Sequence, residues 1–486
     1  MVTNVVAFVL AFALATGLTP LVRLLALRFE LIDQRSSRKV HDRPVPRLGG
    51  IAIVVGFYAP LVGLALYRNG TSGIFYGSVN HVIGFFCGGL AIAVLGLFDD
   101  LVGLRARHKF TVQIAVAVGM YLLGFQIHGI ANPFGTALNL SFLALPFTLF
   151  WIVGVINAMN LIDGLDGLAS GVAFFAVLMN FVVSLSRGDI LMSLLMAALA
   201  GAILGFLLFN FNPASIFMGD TGSMFLGFIL ATGSLVTAQK GAATVSMMVP
   251  ILALGLPIMD TTLAIVRRYT IGRPMFSADR EHIHHRLLRV GYTHRRAVLA
   301  MYGICAIFAA AGLAITFANG RQAALILCGI AVVVFVVIRR LGYADFERAT
   351  EVFETRKKNL ALRATVNDIA EALRSAAQPE AVWSCIQRIG EPLNLAALSL
   401  WLQQPGESQH HEFRLVRVEG ALDAFELVLP VELEGQQCGE VRARWGDGRR
   451  EVGRDEELAL ELLVDHVRRA LARSITPAKP LRLVGR

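Results

Sequence analysis

Charged residues and cysteines are both scarce in this chain of 486 residues, and each shortage excludes a class of protein. Charged side chains make up 16% of the residues, whereas a soluble globular domain usually has about 25%. With 55% apolar residues, the composition excludes a disordered chain and is typical of a membrane protein. The five cysteines form no Cys-x-x-Cys pair, so the sequence also excludes a disulfide-rich secreted module.

The few charges are unevenly distributed. Residues 1–344 contain 24 Lys/Arg and 12 Asp/Glu, whereas residues 345–486 contain 20 and 23. The second part has the charge density of a soluble domain. The basic excess of the first part lies mostly in short loops between apolar runs, where it sets membrane topology. We therefore expect no nucleic-acid partner.

Eleven apolar runs in the first part are long enough to predict membrane spans. They cover residues 4–27, 49–67, 82–98, 111–128, 141–157, 168–186, 190–209, 222–238, 244–266, 297–317 and 322–338. The loops after odd-numbered spans carry 17 Lys/Arg, and those after even-numbered spans carry 4. Since positive loops stay in the cytoplasm, the pattern predicts an outside N-terminus and a cytoplasmic C-terminus.

Carboxylates cluster at the cytoplasmic ends of these spans, where they are costly unless they are solvated or functional. Asp99 and Asp100 end the third span, and adjacent carboxylates are stable mainly beside a cation or a basic partner. Lys109 follows in the same short loop. Asp220 lies between glycines before the eighth span, where its carboxylate is sterically accessible.

The densest group of oxygen donors is the segment Asn157-Ala-Met-Asn160-Leu-Ile-Asp163-Gly-Leu-Asp166-Gly-Leu. Its two Asn, and its two Asp, are each three residues apart, a spacing that puts them on one face of a helix. Such donors suit a hard cation or the hydroxyl groups of a sugar, and the glycines allow a ligand to approach the backbone.

Two further cytoplasmic segments are rich in histidine and basic residues. His282, His284, His285 and Arg286 could bind an anion or donate protons, with a zinc site or an exposed basic loop as alternatives. Lys39 and His41 belong to a basic, proline-containing loop that could contact phosphate or lipid headgroups. A divalent cation, phosphate groups and a polar organic group at the inner interface are what phosphoryl transfer requires.

Taken together, these motifs resemble the polyprenyl-phosphate N-acetylhexosamine-1-phosphate transferases, the WecA/TagO/MraY superfamily. The resemblance covers about residues 1–340 and rests on N-x-x-N-x-x-D-G-x-D-G-L, with D-D upstream and G-D-x-G-S and H-I-H-H-R-L downstream. It implies transfer of a sugar 1-phosphate from a UDP-N-acetylhexosamine to a polyprenyl phosphate, with release of UMP. The implied cofactor is Mg²⁺, with Mn²⁺ as an alternative.

The resemblance also implies residue roles. Catalytic roles fall on Asp99, Asp100, Asp163, Asp166 and Asp220. Substrate contacts fall on Lys39, His41, Lys109, Asn157, Asn160, His282, His284, His285 and Arg286. Metal ligation falls on Asp220, Asn160 and Asp163.

The form of the histidine motif resembles the WecA/TagO branch, which favours UDP-GlcNAc. Relatives that initiate O-antigen or capsule use modified sugars such as UDP-FucNAc or UDP-QuiNAc, and the motif leaves these open. The resemblance implies a multi-pass protein of the bacterial inner membrane with its active site on the cytoplasmic face, initiating a cell-surface glycan.

The rest of the chain predicts a soluble extension. Residues 341–374 predict a helical linker, and residues 375–486 predict a small cytoplasmic α/β domain that resembles a GAF domain in its order of elements. The predicted fold is thus an all-α polytopic membrane domain of about eleven spans (1–340) followed by that domain. A homodimer through the extension is possible, and a ligand sensor is the alternative role.

Two other classes compete with the enzyme. One is a polytopic transporter with a regulatory domain, although a transporter places ionisable residues near the midplane, and Asp260 is the only acidic residue well inside a predicted span. The other is a membrane sensor, which leaves the loop motifs unexplained.

Overall fold

The structure, a computed structural model, describes most of the chain. The described residues are 1–29, 45–66, 73, 77–130, 138–239, 247–270, 272, 282–340, 349–376, 378–403, 410–417, 425–433, 436–449 and 451–475. They form two compact units, Met1–Ile265 with Ala278–Asp345, and Val266–Ser277 with Phe346–Arg486.

The first unit is built of helices, as predicted. They are α1 (Val2–Arg28), α2 (Gly50–Leu66), α3 (Val79–Val102), α4 (Ala106–Leu122), α5 (Ala144–Ile162), α6 (Leu168–Ser186), α7 (Ile190–Asn210), α8 (Gly219–Gln239), α9 (Met248–Ala253), α10 (Gly255–Thr270), α11 (Ile283–Arg289), α12 (His294–Phe317) and α13 (Gly320–Arg340). A two-stranded ribbon, β1 (Gly129–Ile130) and β2 (Leu138–Asn139), lies between α4 and α5.

Each of the eleven predicted spans contains helix. Within the described part of the chain, eight helices are long and apolar enough to cross a membrane, and α2 is a shorter apolar helix. The fold class of a polytopic helical membrane protein is confirmed. The count of eleven crossings and the orientation stay predictions.

The predicted ninth span, 244–266, is not one continuous helix where it is described. It consists of α9 and α10, which meet at Leu254. Pro257 lies in the first turn of α10, and proline has no N–H to donate to the carbonyl group of Ala253, four residues earlier. A hydropathy pattern does not detect this interruption, because all the residues around it are apolar.

The predicted fourth span, 111–128, is displaced toward the N-terminus. Its helix α4 runs from Ala106 to Leu122. The chain then turns at Gly124, which has a positive φ of 96°, a conformation that glycine adopts without strain. Phe125 and Ile127 are buried after this turn rather than in a helix.

Helix α8 is the centre of the first unit. Every residue from Thr221 to Ala238 is buried, and the helix packs against α5 and α3 along its length. Burial on all faces is typical of a helix in such a central position. Its N-terminus, which carries Asp220, is consequently surrounded by the ends of other helices.

The second unit has a four-stranded antiparallel sheet of order β4-β3-β6-β5. Its strands are β3 (Ala397–Gln403), β4 (His410–Val416), β5 (Phe425–Leu433) and β6 (Gln436–Trp445), and its helices are α14 (Ala349–Ala372), α15 (Pro379–Ile386) and α16 (Arg454–Ile475). The predicted α/β character is confirmed, whereas the likeness to a GAF domain stays a prediction.

Helix α14 covers most of the predicted linker. Its residues Leu362, Val366 and Ile369 are buried in one core with Leu398 and Val441 of the sheet. This helix is therefore part of the packed second unit over that stretch, because apolar burial of this kind holds it against the sheet. Residues 341–348 lie outside the described part, and the predicted domain boundaries stay predictions.

Candidate active site

Three helix ends meet at Lys109. This residue, in the first turn of α4, donates to Asp99 Oδ2 at 2.6 Å and to Asp220 Oδ2 at 3.1 Å. Asp99 belongs to the last turn of α3, and its Oδ1 accepts the backbone N–H of Leu104 at 2.6 Å. Residues that are up to 121 positions apart in the chain thus form one charged group. The lysine offsets the repulsion between the two carboxylates.

Asp100, beside Asp99 in the chain, caps the N-terminus of α8. Its Oδ1 accepts the N–H of Asp220 at 2.8 Å, and its Oδ2 accepts the N–H of Thr221 at 2.9 Å and the hydroxyl of Thr221 at 2.6 Å. The first N–H groups of a helix have no partner within the helix, and a negative charge there is favourable. The two adjacent aspartates therefore have different surroundings.

Gly219 makes the approach of Asp100 possible. Its φ is +71°, and a Cβ at this position would lie 2.7 Å from Asp100 Oδ2 and would overlap the carbonyl oxygen of Arg47. The segment 46–50 lies alongside residues 217–218, because Phe217 donates its N–H to the carbonyl of Pro46 at 2.8 Å. The chain before α2 is thereby fixed beside the N-terminus of α8.

The two predicted asparagines of α5 are both held by hydrogen bonds. Asn157 Nδ2 donates to Gln113 Oε1 of α4 at 2.7 Å. Asn160 Nδ2 donates to Ser223 Oγ of α8 at 3.1 Å. Since the amide nitrogens are used in this way, the amide oxygens remain as the ligand atoms of these side chains.

Asp163 follows α5 directly, and its pKa is affected by the carboxylates of Asp220 and Asp100. Burial, together with the carboxylates of Asp220 and Asp100, raises the pKa of Asp163 to about 7, and Arg47 opposes this effect. A carboxyl group with a raised pKa is a recurrent feature of functional sites. The contributions of Asp220, Asp100 and Arg47 to this shift indicate that these charged groups lie near Asp163.

Asp166 faces a different loop. Its side chain is buried, and its Oδ2 accepts the side-chain amide of Asn212 and the backbone N–H of Ala214, both at 3.0 Å. These contacts stabilise the loop that leads into α8. They support a structural role for Asp166, and its predicted catalytic role stays a prediction.

The histidine motif begins at a buried carboxylate. His282 precedes α11, and its Nδ1 lies 3.0 Å from Asp260 Oδ2. The backbone N–H of Ile283 donates to Asp260 Oδ1 at 2.8 Å. Both His282 and Asp260 are buried, so this contact links α10 to the start of the motif.

His284 brings the motif against the aspartate segment. Its ring is parallel to that of His282, with 5.8 Å between the ring centroids, and lies 4.3 Å from the ring of His285. A Cβ on Gly164, next to Asp163, would overlap His284 Nε2. Burial lowers the pKa of His284 to about 3, so this ring is neutral at pH 7.

The structure describes all of the predicted site residues except Lys39 and His41. Arg286 lies half-buried on α11 behind the histidines. Lys39 and His41 lie outside the described residues. The motifs of α3, α4, α5, α8 and α11 are joined through direct contacts or adjacent residues. Their individual roles stay predictions.

Metal ligation is the least defined property of this cluster. Among the described residues, no three His, Cys, Asp or Glu side chains are grouped closely enough to hold a metal ion. The predicted set of Asp220, Asp163 and Asn160 includes an amide. Two carboxylates and an amide oxygen suit Mg²⁺, which usually takes one or two protein carboxylates together with water and substrate phosphates. The carboxylates of Asp220 and Asp100 near Asp163 fit such a cation.

Two residues of this network were not predicted as site residues. Gln113 is fully buried in α4 and holds Asn157. Asp260 was recognised only as an unusual acid inside a span. In both cases the available signal was a polar side chain within an apolar run, which is expensive unless it has a partner. Sequence does not identify that partner.

Comparison with known proteins agrees with this arrangement. Residues 82–238 match the family model of glycosyl transferase family 4. The chain is 39% identical over 320 residues to a probable undecaprenyl-phosphate N-acetylglucosaminyl 1-phosphate transferase of Bacillus subtilis (strain 168), covering 66% of this chain and 87% of that protein.

Two further relatives are similar over comparable lengths. A decaprenyl-phosphate N-acetylglucosaminephosphotransferase of Mycolicibacterium smegmatis is 38% identical over 339 residues, covering 65% of this chain and 83% of that protein. A phospho-N-acetylmuramoyl-pentapeptide-transferase of Streptococcus equi subsp. zooepidemicus is 33% identical over 282 residues, covering 55% and 82%. With its motifs joined at one set of helix ends, the chain belongs to glycosyl transferase family 4, within the superfamily of polyprenyl-phosphate sugar-1-phosphate transferases that the motifs predicted.

Proposed function

We propose that this protein transfers N-acetylglucosamine 1-phosphate from UDP-GlcNAc to a polyprenyl phosphate. In this reaction, an oxygen of the lipid phosphate forms a bond to the β-phosphorus of the donor. The bond between that phosphorus and the oxygen bridging it to the α-phosphate breaks, and UMP leaves. The names of the relatives at 38–39% identity favour the GlcNAc donor.

The observation that carries the proposal is the bridge formed by Lys109 between Asp99 and Asp220. It joins the ends of α3, α4 and α8 at one point, with Asp163 and the asparagines of α5 beside it. Phosphoryl transfer depends mainly on positioning and on stabilisation of charge, and this point offers both.

Asp99 acts in this proposal mainly by holding Lys109. The second pKa of a phosphate monoester is about 6, so the lipid phosphate is mostly a dianion at pH 7 and hardly needs a general base. Both oxygens of Asp99 have partners, Leu104 N–H and Lys109 Nζ. The ammonium group held in this way can bind a phosphate oxygen of either substrate.

Asp220, Asp163 and Asn160 would hold Mg²⁺. When bound, the ion would neutralise charge on the diphosphate of the donor. The chain itself positions two of these side chains: Asp100 caps the helix that carries Asp220, and Ser223 accepts the amide N–H of Asn160. The neutral ring of His284, held against Gly164, can donate a hydrogen bond to the sugar or the diphosphate, or accept one from the sugar.

The inner membrane and its cytoplasmic face are the proposed location. This part of the proposal is supported by the eight apolar helices of the described residues. The basic loops after odd-numbered spans favour a site on the same side as the cytoplasmic pool of UDP-sugars. A polyprenyl phosphate would reach the site from the bilayer.

The experiment that tests the proposal uses purified protein in nanodiscs with undecaprenyl phosphate and radiolabelled UDP-GlcNAc, with and without Mg²⁺. We expect a labelled lipid and one UMP per turnover, and loss of both with EDTA. UDP-FucNAc and UDP-QuiNAc are tested in parallel as alternative donors.

A labelled lipid from one of these donors, but not from UDP-GlcNAc, would overturn the proposed donor and retain the reaction class. If no UDP-sugar gave a product, the proposed reaction would be wrong. Asp189→Asn is a matched control, since this acid precedes α7 and caps it by accepting the N–H of Met192 at 3.2 Å. We expect it to retain activity.

A further inference from the structure

Asp260 is a buried acid within an apolar helix, and the proposed reaction does not use it. Its side chain is 2% exposed, and α10 carries no other acidic residue. Burying a carboxylate is unfavourable unless it is hydrogen-bonded or paired. The partners of this carboxylate therefore indicate why an acid is present at this position.

Both oxygens of Asp260 bind the start of the histidine motif. Oδ1 accepts the N–H of Ile283, the first residue of α11, at 2.8 Å, and Oδ2 lies 3.0 Å from His282 Nδ1. The first bond satisfies one of the N–H groups that a helix leaves without a partner. The second fixes the imidazole ring, which is itself buried.

The second contact also determines the tautomer of His282. A carboxylate only accepts hydrogen bonds, so the proton of a neutral ring must lie on Nδ1, and Nε2 is the remaining acceptor. A carboxylate or carbonyl oxygen fixes the ring orientation and raises the basicity of many functional histidines in this way. The parallel ring of His284 next to it extends to Gly164, beside Asp163.

We propose that Asp260 is a positioning residue for the transferase reaction. It fixes the tautomer and orientation of His282, while its other oxygen binds the N–H of Ile283 at the start of α11. Asp260 touches no substrate in this account, and its effect on turnover passes through His282. The inference rests on the proposed function and on the substrate contact that the resemblance implies for His282.

The test is a double-mutant cycle on the full-length protein in nanodiscs. Asp260→Asn keeps an oxygen for the N–H of Ile283, whereas its amide group is a donor toward Nδ1 and favours the opposite tautomer. We expect kcat to fall about 10-fold to 100-fold, as for other residues that orient a functional histidine. The thermal midpoint should change little.

In a His282→Ala background, the same Asp260→Asn change should have no further effect on kcat, because the residue through which Asp260 acts is gone. An equal further loss in that background, or full activity of Asp260→Asn alone, would overturn the proposal. Asp189→Asn, another buried acid that accepts a backbone N–H at the start of a helix, is the control and should leave kcat unchanged.

A second measurement does not depend on turnover. The ¹⁵N spectrum of labelled histidine reports which ring nitrogen of His282 carries the proton, with His282→Ala giving the assignment. We expect Nδ1–H in the wild type and Nε2–H in Asp260→Asn. The same tautomer in both would overturn the proposal. Failure of the proposed function would instead appear as a wild-type protein without transferase activity, whatever the tautomer.

Discussion

Asp99 and Asp100 are adjacent, yet the structure predicts that their neutral variants fail in different ways. In Asp100→Asn, the amide group cannot accept one of the N–H groups at the start of α8. A hydrogen bond to a charged group contributes about 1.5–3 kcal/mol, and the lost charge at the helix N-terminus about 0.3–1 kcal/mol. The expected destabilisation is therefore about 2–4 kcal/mol.

Asp99→Asn should cost much less stability. The asparagine can still accept the N–H of Leu104, and Lys109 keeps Asp220 as its partner. A partly exposed ion pair contributes about 1 kcal/mol or less. Its effect should appear in turnover, because Lys109 loses one of the two groups that hold it, and a displacement of about 1 Å in a catalytic group can cost roughly 100-fold in rate.

The assay compares thermal unfolding midpoints and kcat for both variants in the same detergent, with Thr221→Val as a control that removes only the hydroxyl bond to Asp100. From the highest to the lowest thermal midpoint, we expect the order wild type, Asp99→Asn, Thr221→Val and Asp100→Asn. An Asp100→Asn protein as stable as the wild type, or an Asp99→Asn protein as unstable as Asp100→Asn, would refute this reasoning.

Three further predictions follow from contacts around the site. Gly164→Ala should reduce kcat at least about 10-fold, because the new Cβ overlaps His284 Nε2. The control Gly154→Ala, which has open space for a Cβ, should retain the wild-type kcat. The same kcat in both variants would contradict the overlap. Burial lowers the pKa of His284 from 6.5 to about 3 on folding, so its contribution to stability is complete above pH 6.5 and is lost progressively as the pH falls toward 3. The thermal midpoint of His284→Gln should therefore fall less steeply between pH 6.5 and 3 than that of the wild type. The same dependence of the midpoint on pH in both proteins would show that other groups cause the fall. Gln113→Leu removes the acceptor for the amide group of Asn157. It should lower the free energy of unfolding by about 1–3 kcal/mol and weaken UDP-GlcNAc binding, measured by calorimetry. A variant with wild-type stability and affinity would contradict the role assigned to this bond.

Much of the helical framework could be predicted because apolar runs must be covered by lipid or by other helices. The sixth predicted span, 168–186, has the same bounds as α6. The break at Leu254 could not be predicted from hydropathy, because a proline interrupts the helix without changing its apolar character. The turn at Gly124 also escaped, because Phe125 and Ile127 continue the apolar run beyond it.

The composition of the site was predictable, whereas its hydrogen bonds were not. Carboxylates at span ends are expensive, so their positions alone indicated a functional cluster. The different partners of Asp99 and Asp100 depend on how α3 meets α4 and α8, which is a property of packing. Asp166 and Asp260 show the same limit, since each is an acid whose partner comes from a distant part of the chain.

The order of strands in the second unit was likewise beyond the sequence. The sequence predicted an α/β domain over this part of the chain, and the structure has a four-stranded sheet there. In the order β4-β3-β6-β5, strand β3 lies between β4 and β6, so the consecutive strands β4 and β5 are not neighbours. The alternation of side chains between two faces does not encode which strands are neighbours.

The central claim, that a sugar 1-phosphate rather than a sugar is transferred, has a direct test in the fate of the two phosphates of the donor. UDP-GlcNAc labelled with ³²P in the β-phosphate is incubated with the purified protein, Mg²⁺ and undecaprenyl phosphate, and the lipid and nucleotide fractions are separated. The account predicts that the β-label enters the lipid and that the released nucleotide is unlabelled UMP. Release of labelled UDP, with an unlabelled lipid, would contradict it.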